Sequence, residues 1–453
     1  MRKFICLLFL SIFLTLSFSL FADNSKHTSL PQWATNKFIY EVNIRQFSQS
    51  GNFAGVKAAL PRLQKLGVGI LWLMPIHPIG IINRKGSLGS PYSVKDYYEI
   101  NLEFGSEDDF RDLIDAAHSA GIKVILDWVA NHTSWDNLLT STHPDYYNRD
   151  QKGNFYPPNS DWSDVIGLNY NNEDLRQYMI GAMEYWVREF GIDGFRCDVA
   201  SLIPTTFWED ARKRLEQIKP VLMLAEAENA DLQSNAFDLT YSWDLYFTMK
   251  SVVKGEKDAN AIWDAIARQK NNFPTGALEL QFTTNHDENS SGDLILEKMG
   301  TNMGVFIVLS ATIPGVPLIY DGQEAGIDYN LSLFDRTSIV WKDHPFNSLY
   351  SKLCDLKNTN HALDAGGLSY TSGNFNRIYT TDRDNAIISY IRDNGSDEIF
   401  VLLNVTNSYQ SFTFKGNGIS GKFKEIMNGY SVEFKSQKSF YLNPWEYLIF
   451  VKQ

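Results

Sequence analysis

The sequence predicts an α/β fold: a closed (β/α)8 TIM barrel with a loop subdomain inserted after strand 3 and a C-terminal antiparallel β-sandwich. Between about residues 36 and 360, short apolar runs of β type alternate with amphipathic helical stretches. Such βα repeats favour a parallel sheet with right-handed crossovers, and eight of them over this length favour a closed barrel. A polar, irregular stretch interrupts the repeats once, and short alternating strands follow them.

The predicted barrel strands are residues 38–47, 70–76, 123–132, 193–200, 220–229, 236–245, 277–289 and 315–326. The helical stretches between them include 60–68, 110–121, 175–191, 207–218, 259–269 and 304–313. Two of these end at a glycine, Gly121 or Gly191, which is a common signal for the end of a helix. A doubly wound open sheet is the competing arrangement, but "NIRQFSQSGN" after the first strand has no glycine-rich phosphate loop.

The repeats place the barrel in residues 36–132 and 171–362, with the insertion in 133–170. The insertion is rich in Asn, Asp, Ser, Pro and Tyr and has no clear periodicity, which indicates a functional loop or a small subdomain. Residues 364–453 alternate in the manner of antiparallel strands and carry Asn-Gly, Gly-Asn and Asp-Asn at their turns. This last segment is therefore predicted to be a separate β domain.

Residues 1–22 are predicted to be a secretory signal peptide. Arg2 and Lys3 form a short basic start, residues 4–20 are largely apolar, and Ala22 is a small residue at a plausible cleavage point. An uncleaved membrane anchor is the alternative, although the apolar run is slightly short for a span. The prediction is an exported protein, periplasmic or extracellular.

The chain carries 53 acidic and 41 basic residues, a net charge of −12. This balance argues against a nucleic acid or an anionic membrane as partner. Only Cys197 and Cys354 lie beyond the predicted signal peptide. Two cysteines do not make a disulfide framework in a chain of this length, so both are predicted to be buried thiols.

Polar and acidic residues collect at the ends of the predicted strands, where the catalytic groups of such barrels converge. In chain order they are Asp127, Asn131, His132, Arg196, Asp198, Glu226, Glu228, Asn285, His286, Asp287, Asp321 and Glu324. Several carboxylates at one mouth indicate either a metal site or glycoside hydrolysis, which needs one protonated and one ionised carboxyl. For the string "FRCD" alone, a salt bridge that closes a layer of the barrel is the alternative.

Asp198 and Glu226 are the candidates for the carboxyl pair. Arg196 lies two residues before Asp198 on the same face of a strand, so we expect it to lower the pKa of Asp198, which suits a nucleophile. Glu226 lies in the apolar run "VLMLAEA", where desolvation would raise its pKa, which suits a general acid.

His132 and His286 each follow a β run and stand next to Asn131 and Asp287. Two imidazoles in such positions are predicted to donate hydrogen bonds to a polar ligand, although a lone histidine is more often part of the core. They could instead bind zinc, but no cysteine or His-x-x-x-His spacing accompanies them.

Four short strings resemble, in order, the four motifs of the α-amylase family, glycoside hydrolase family 13. They are "DWVANH" (127–132), "GFRCDVA" (194–200), "MLAEAE" (223–228) and "FTTNHD" (282–287). The strings "YSVKDYYEIN", "WSDVIGLNY" and "IYDGQEAG" are similar to accessory motifs of the family. The resemblance extends from about residue 38 to the C-terminus.

The resemblance implies that Asp198 is the nucleophile, Glu226 the general acid/base and Asp287 the stabiliser of the transition state. It also implies a subsite for the reacting sugar, formed by the aromatic platform Tyr92 and the hydrogen-bonding side chains of His132, Arg196 and His286. Asp127 supports this site rather than reacting.

The resemblance further implies that Asn131 is a ligand of a structural calcium ion between barrel and insertion, with Asp164 as a possible second ligand. No organic cofactor is expected. The string "DVASLIP" departs from the "DxxKH" of many relatives at Ser201 and Leu202, which removes one calcium-binding carbonyl of those relatives. A calcium requirement therefore does not follow from the resemblance.

The implied activity is retaining hydrolysis of α-1,4-glucosidic bonds in starch or maltooligosaccharides. An α-glucosidase, a maltogenic enzyme or one that accepts α-1,6 links is the alternative. Val199 resembles α-1,6-accepting relatives, whereas "GSPYSVKDY" lacks the acidic residue that exo-acting relatives carry before the platform tyrosine, which argues against exo action. A glucan-binding relative without catalysis and a metal-dependent barrel hydrolase are remoter alternatives.

Overall fold

The computed structural model describes residues 29–365, 375–376 and 380–453, so the predicted signal peptide lies outside the described residues. The first ten strands are β1 (Ile39–Val42), β2 (Ile70–Leu73), β3 (Lys123–Trp128), β4 (His132–Ser134), β5 (Val165–Gly167), β6 (Gly194–Cys197), β7 (Leu222–Ala225), β8 (Leu239–Tyr241), β9 (Leu278–Gln281) and β10 (Val316–Tyr320). The strands that follow are β11 (Phe375–Asn376), β12 (Ile387–Asp393), β13 (Glu398–Asn404), β14 (Gln410–Thr413), β15 (Ile419–Glu425), β16 (Ser431–Gln437), β17 (Ser439–Leu442) and β18 (Tyr447–Lys452).

The α-helices are α1 (Ile44–Phe47), α2 (Phe53–Leu66), α3 (Glu107–Ser119), α4 (Leu139–Thr142), α5 (Glu173–Phe190), α6 (Thr205–Glu216), α7 (Leu232–Asn235), α8 (Trp243–Val253), α9 (Ala259–Asn272), α10 (His286–Ser291), α11 (Gly304–Thr312) and α12 (Pro345–Thr359). Short 3-10 helices occupy Gln32–Ala34, Pro144–Tyr146, Ala200–Leu202, Glu297–Met303, Gln323–Ala325 and His361–Leu363.

Eight parallel strands form a closed barrel in the order β1-β10-β9-β8-β7-β6-β3-β2, which confirms the predicted fold class. All residues of β1, β2 and β6 are buried, as expected for strands that are covered on both faces. β6 begins at Gly194, whose φ is 151° and where a Cβ would collide with the backbone of Leu222 in β7. Glycine is therefore required for the close approach of these two strands.

The observed barrel strands end earlier than predicted, and the surplus residues form turns and short helices. The predicted strand 38–47 ends at Val42 and α1 follows, because the backbone N–H groups of Gln46 and Phe47 donate to the carbonyl of Asn43 instead of pairing with a neighbouring strand. Likewise, the Asn285 side chain accepts a hydrogen bond from the backbone N–H of Glu288, and this N-cap starts α10 inside the predicted strand 277–289.

The insertion between β3 and α5 contains the two-stranded antiparallel sheet of β4 and β5, in which His132 faces Gly167. His132 was predicted at the end of the third barrel strand, but it belongs to this sheet. Its carbonyl and that of Val129 both accept hydrogen bonds from the Tyr97 hydroxyl, at 3.0 and 2.8 Å. This buried tyrosine therefore links the end of barrel strand β3 to the first strand of the insertion.

The C-terminal part consists of a six-stranded sheet, β11-β12-β13-β18-β15-β16, and a separate pair, β14-β17. Apolar side chains of both sheets share one core, and the other face of the large sheet packs on the main core of the barrel. Cys197 and Cys354 are buried free thiols, as predicted. Within the described ranges, the helices are all too short or too polar to cross a membrane.

Candidate active site

A cavity of about 320 Å³ opens at the C-terminal ends of the barrel strands. Its walls include six of the seven predicted catalytic and sugar-binding residues, Tyr92, His132, Asp198, Glu226, His286 and Asp287, together with the predicted metal ligand Asp164. Arg196, the seventh, lies below the cavity and is fully buried. The structure therefore brings the predicted catalytic and sugar-binding residues to one place.

Arg196 links the carboxylates of three neighbouring strands. Its Nη1 lies 2.9 Å from Oδ1 of Asp127 and 3.1 Å from Oδ1 of Asp198, and its Nη2 lies 3.0 Å from Oε1 of Glu226. The Nε atom donates to the Tyr241 hydroxyl at 3.2 Å. A planar guanidinium with a fixed fork of donors is suited to hold several acceptors in one plane.

Arg196 lowers the pKa of Asp198, as predicted, but the net shift of that pKa is upward, which the sequence analysis did not predict. Burial raises the pKa of Asp198 well above its usual value, and the charges of Glu226, Asp127 and Asp287 add to this, although Arg196 opposes them. Three carboxylates around one guanidinium are more negative than the arginine can balance. The cluster therefore favours one shared proton, and Arg196 helps to leave the other carboxyls ionised.

The pKa of Glu226 is also raised, as predicted, with burial as the largest cause. Its Oε2 accepts a hydrogen bond of 2.7 Å from the backbone N–H of Val199. Val199 adopts φ 38° and ψ 45°, a left-handed conformation that is rare for a β-branched residue. This turn follows directly after Asp198 and connects the two catalytic candidates through the backbone.

Asp127 supports the site, as the resemblance implied. Besides Arg196, its carboxylate accepts hydrogen bonds from Trp72 Nε1 and from the Tyr92 hydroxyl, both at 3.0 Å. The Tyr92 ring stacks on the imidazole of His286 with 5.3 Å between the ring centres. These contacts fix the face of Tyr92 at the wall of the cavity.

The two histidines differ in charge. Burial lowers the pKa of His132 to about 4, so this imidazole is neutral at physiological pH. Burial would also lower the pKa of His286, but the carboxylates of Asp287 and Glu41 raise it to about 9. His286 Nε2 lies 3.3 Å from Oδ2 of Asp287, whose side chain is 44% exposed towards the cavity.

Several residues of the site were missed by the sequence analysis. Glu41 in β1 is fully buried and contacts His286, and Lys85, Trp162 and Phe334 come from loops that line the cavity. Glu41 had a signal, since an acidic residue inside an apolar strand needs a partner. The three loop residues carry no local signal of this kind.

The contacts of Asp164 do not fit the calcium site that the resemblance implied. Oδ1 of Asp164 forms an ion pair of 3.2 Å with Lys85 Nζ, which also donates to the carbonyl of Asp161 at 2.5 Å. The Asn131 amide lies against His132 Nδ1 at 3.2 Å. In the described part of the chain, three or more His, Cys, Asp or Glu side chains nowhere form a group able to hold a metal ion.

A parallel βα barrel whose strand ends place paired carboxyl groups around one buried arginine has the groups that a glycoside hydrolase requires. Comparison with known families agrees: the profile "Alpha amylase, catalytic domain" matches residues 20–365. The chain belongs to the α-amylase family of glycoside hydrolases.

Two similar crystal structures are a noncanonic maltogenic α-amylase, AmyB, from Thermotoga neapolitana and an α-amylase from Lactobacillus plantarum. Each is 32% identical to this chain, with TM-scores of 0.83 and 0.80 respectively. Both alignments cover 93% of this chain, and they cover 99% and 100% of the two crystal structures. The α-amylase MalA of Haloarcula japonica is 29% identical over 399 residues, 83% of this chain. The matched region spans only 56% of that longer relative.

Proposed function

We propose that the protein hydrolyses α-1,4-glucosidic bonds of starch or maltooligosaccharides with retention of configuration. The observation that carries the proposal is the joint contact of Arg196 with Asp198 and Glu226 below the cavity. One guanidinium orients both carboxyls, and the excess negative charge keeps a proton on the pair. A retaining glycosidase needs such a pair, with one member ionised and the other protonated.

In the proposed mechanism, the protonated carboxyl of Glu226 gives its proton to the glycosidic oxygen while Asp198 attacks the anomeric carbon and the C–O bond breaks. The aglycone leaves with that proton, and Glu226 is left as a carboxylate that the N–H of Val199 stabilises. Glu226 then removes a proton from water, which attacks the anomeric carbon and releases Asp198. Asp287 stabilises the developing positive charge on the sugar ring.

A maltogenic hydrolase, which releases short products, is the second candidate. The cavity of about 320 Å³ is at the low end of ligand pockets, and Trp162, Lys85 and Phe334 stand at its wall. The relative from Thermotoga neapolitana is a maltogenic α-amylase, and another relative, from a Bacillus species, is a cyclomaltodextrinase, 26% identical over 78% of this chain. The small volume of the cavity and these relatives support this second candidate.

We also propose that the protein is exported to the periplasm or beyond, on the basis of residues 1–22, and that it needs no calcium. The second proposal is supported by the ion pair of Asp164 with Lys85, which neutralises the carboxylate without a metal. Neither a nucleic acid nor an anionic membrane is proposed as a partner, because the chain is acidic.

Asp198→Asn tests the activity. We expect it to abolish hydrolysis of maltotriose and starch while the circular dichroism spectrum stays native, because an amide cannot form the glycosyl ester. Substantial remaining activity would contradict the assignment of the nucleophile. Product analysis of the wild type on starch, maltotriose, pullulan and sucrose separates the two candidates: mixed maltooligosaccharides at early times indicate an endo-acting amylase, and maltose alone indicates the maltogenic enzyme.

A further inference from the structure

A second cavity, of about 560 Å³, lies outside the barrel wall between α8 and α9. It shares no lining residue with the active-site cavity. The polar and aromatic side chains that line it include Glu228, Trp243, Phe247, Gln269 and Glu279. The proposed mechanism uses none of them.

Gln269 is the first indication that this cavity binds something. Its side chain lines the cavity, is only 7% exposed, and has no hydrogen-bond partner among the described residues for either Oε1 or Nε2. Buried amides are almost always hydrogen-bonded, because the loss of water is costly unless another partner replaces it. A ligand with hydroxyl groups would supply both a donor and an acceptor to this amide.

The carboxyl groups of the cavity are suited to hydroxyls rather than to a metal ion. Asp244 is already neutralised by Arg268, with contacts of 2.8 and 2.9 Å. Glu279 is 3% exposed, and burial together with the charges of Glu228 and Asp244 raises its pKa well above the usual value. This shift favours the protonated form of Glu279, which can donate a hydrogen bond, and an oxygen of Glu228 can accept one.

The rim of the cavity is aromatic. Trp243 and Phe247 lie one helical turn apart on α8 with nearly parallel rings, 5.8 Å between centres and 20° between planes. Phe247 is 50% exposed. Trp243 is stacked between Tyr241 and Phe247, so Phe247 is the ring that a ligand can reach. A sugar ring can pack its C–H face on an exposed aromatic side chain beside a few buried polar groups.

We propose that the cavity between α8 and α9 is a second α-glucan site, which holds glucosyl units of a maltooligosaccharide between Phe247 and Gln269. The choice of glucan among hydroxyl-rich ligands rests on the proposed function. Such a site would hold one part of a long glucan on the enzyme while another part of the same glucan occupies the active site. The two linked binding events would then strengthen each other.

The test is a calorimetric titration of the Asp198→Asn protein with maltotriose. We expect two binding equivalents, and only one after Phe247→Ala or Gln269→Leu is added. Phe247 is half exposed, so its variant keeps the test valid if Gln269→Leu fails to fold. Tyr441→Ala removes an exposed ring on β17, 67% exposed and remote in sequence from the cavity, and should leave two binding equivalents.

A stoichiometry of one that neither variant changes, or loss of the second equivalent in Tyr441→Ala, would overturn the second site. The activity proposal fails separately, if Asp198→Asn still hydrolyses maltotriose. The two failures are therefore distinguishable in the same set of proteins.

Discussion

Nδ1 of His286 lies 2.5 Å from Oε1 of Glu41, and both side chains are buried. Glu41 comes from β1 and His286 from the start of α10, so the contact joins parts of the chain that are distant in sequence but separated by only one strand, β10, in the barrel. With its pKa near 9, the imidazole is cationic at neutral pH, and its Nε2 donates to the Tyr92 hydroxyl at 2.7 Å. Tyr92 in turn donates to Asp127. This chain of hydrogen bonds sets the charge at one wall of the cavity.

Replacing Glu41 by Gln should make stability less dependent on pH. The pKa of His286 is raised from 6.5 to about 9, so its protonation stabilises the fold fully below pH 6.5, and this contribution is lost as the pH rises through 9. The free energy of unfolding of the wild type should exceed that of Glu41→Gln by about 1–3 kcal/mol less at pH 10 than at pH 6. Urea unfolding at the two pH values measures it.

The matched control for this prediction is Glu398→Gln, which removes the carboxylate that pairs with Lys452 on the C-terminal sheet. Its effect on the free energy of unfolding should be small at both pH values, since the Lys452 side chain is 47% exposed and solvent screens the pair. If the difference in free energy of unfolding between the wild type and Glu41→Gln grows with pH, Glu41 does not hold His286 in its protonated form.

Arg196→Met should damage both stability and catalysis. Removing the guanidinium that contacts Asp127, Asp198 and Glu226 leaves buried negative charge unpaired, at a cost of about 3–5 kcal/mol. Arg196 lowers the pKa of Asp198 against burial, so its loss should raise that pKa and move the acidic limb of the kcat profile to higher pH. We expect kcat to fall by about 10²–10³-fold.

Arg196→Lys distinguishes charge from geometry in the same experiment. Lysine restores the charge but not the fork, so it should return the acidic limb towards its original pH while kcat stays low. Arg196→Met with an unchanged pH profile and unchanged kcat would contradict the central role of this side chain.

The sequence predicted the barrel and the cluster at its mouth because strand ends must meet at one edge of a parallel sheet. It could not predict the sign of the pKa shift at Asp198, since that depends on how closely Glu226 and Asp287 approach and on how deeply the group is buried. Local periodicity also missed Lys85 and Phe334, because they reach the cavity from loops whose course is set by tertiary contacts. His132 was predicted as a site residue, yet its strand belongs to the insertion rather than to the barrel.

Val199→Gly should stabilise the protein and slow catalysis. A β-branched residue at φ 38° is strained, and glycine adopts this conformation freely, so we expect a gain of about 1 kcal/mol. Because glycine is also more flexible, the backbone N–H of residue 199 that donates to Glu226 should be less well positioned. We therefore expect kcat to fall a few-fold while KM changes little. Thermal unfolding and steady-state kinetics measure the two effects; a loss of stability in the glycine variant would show that the turn is not strained.

Lys85 and Asp164 form an ion pair at the wall of the active-site cavity. Lys85 Nζ joins the loop after β2 to the insertion through Asp164 and the carbonyl of Asp161, and it lies 5.9 Å from the ring centre of Phe334. One ammonium group thus connects three loops that surround the substrate. We expect Lys85→Met to raise KM by about tenfold with little change in kcat, because the walls that bind substrate loosen while the catalytic carboxyls stay in place.

The matched control is Lys95→Met, which removes another lysine–aspartate pair, with Asp136, outside the active-site cavity. It should leave KM unchanged. Because Lys85 already neutralises Asp164, treatment with a chelator should change neither Tm nor activity of the wild type. A Tm that falls with the chelator and returns with added calcium would show instead that a metal ion holds the insertion on the barrel, and that the ammonium group alone does not.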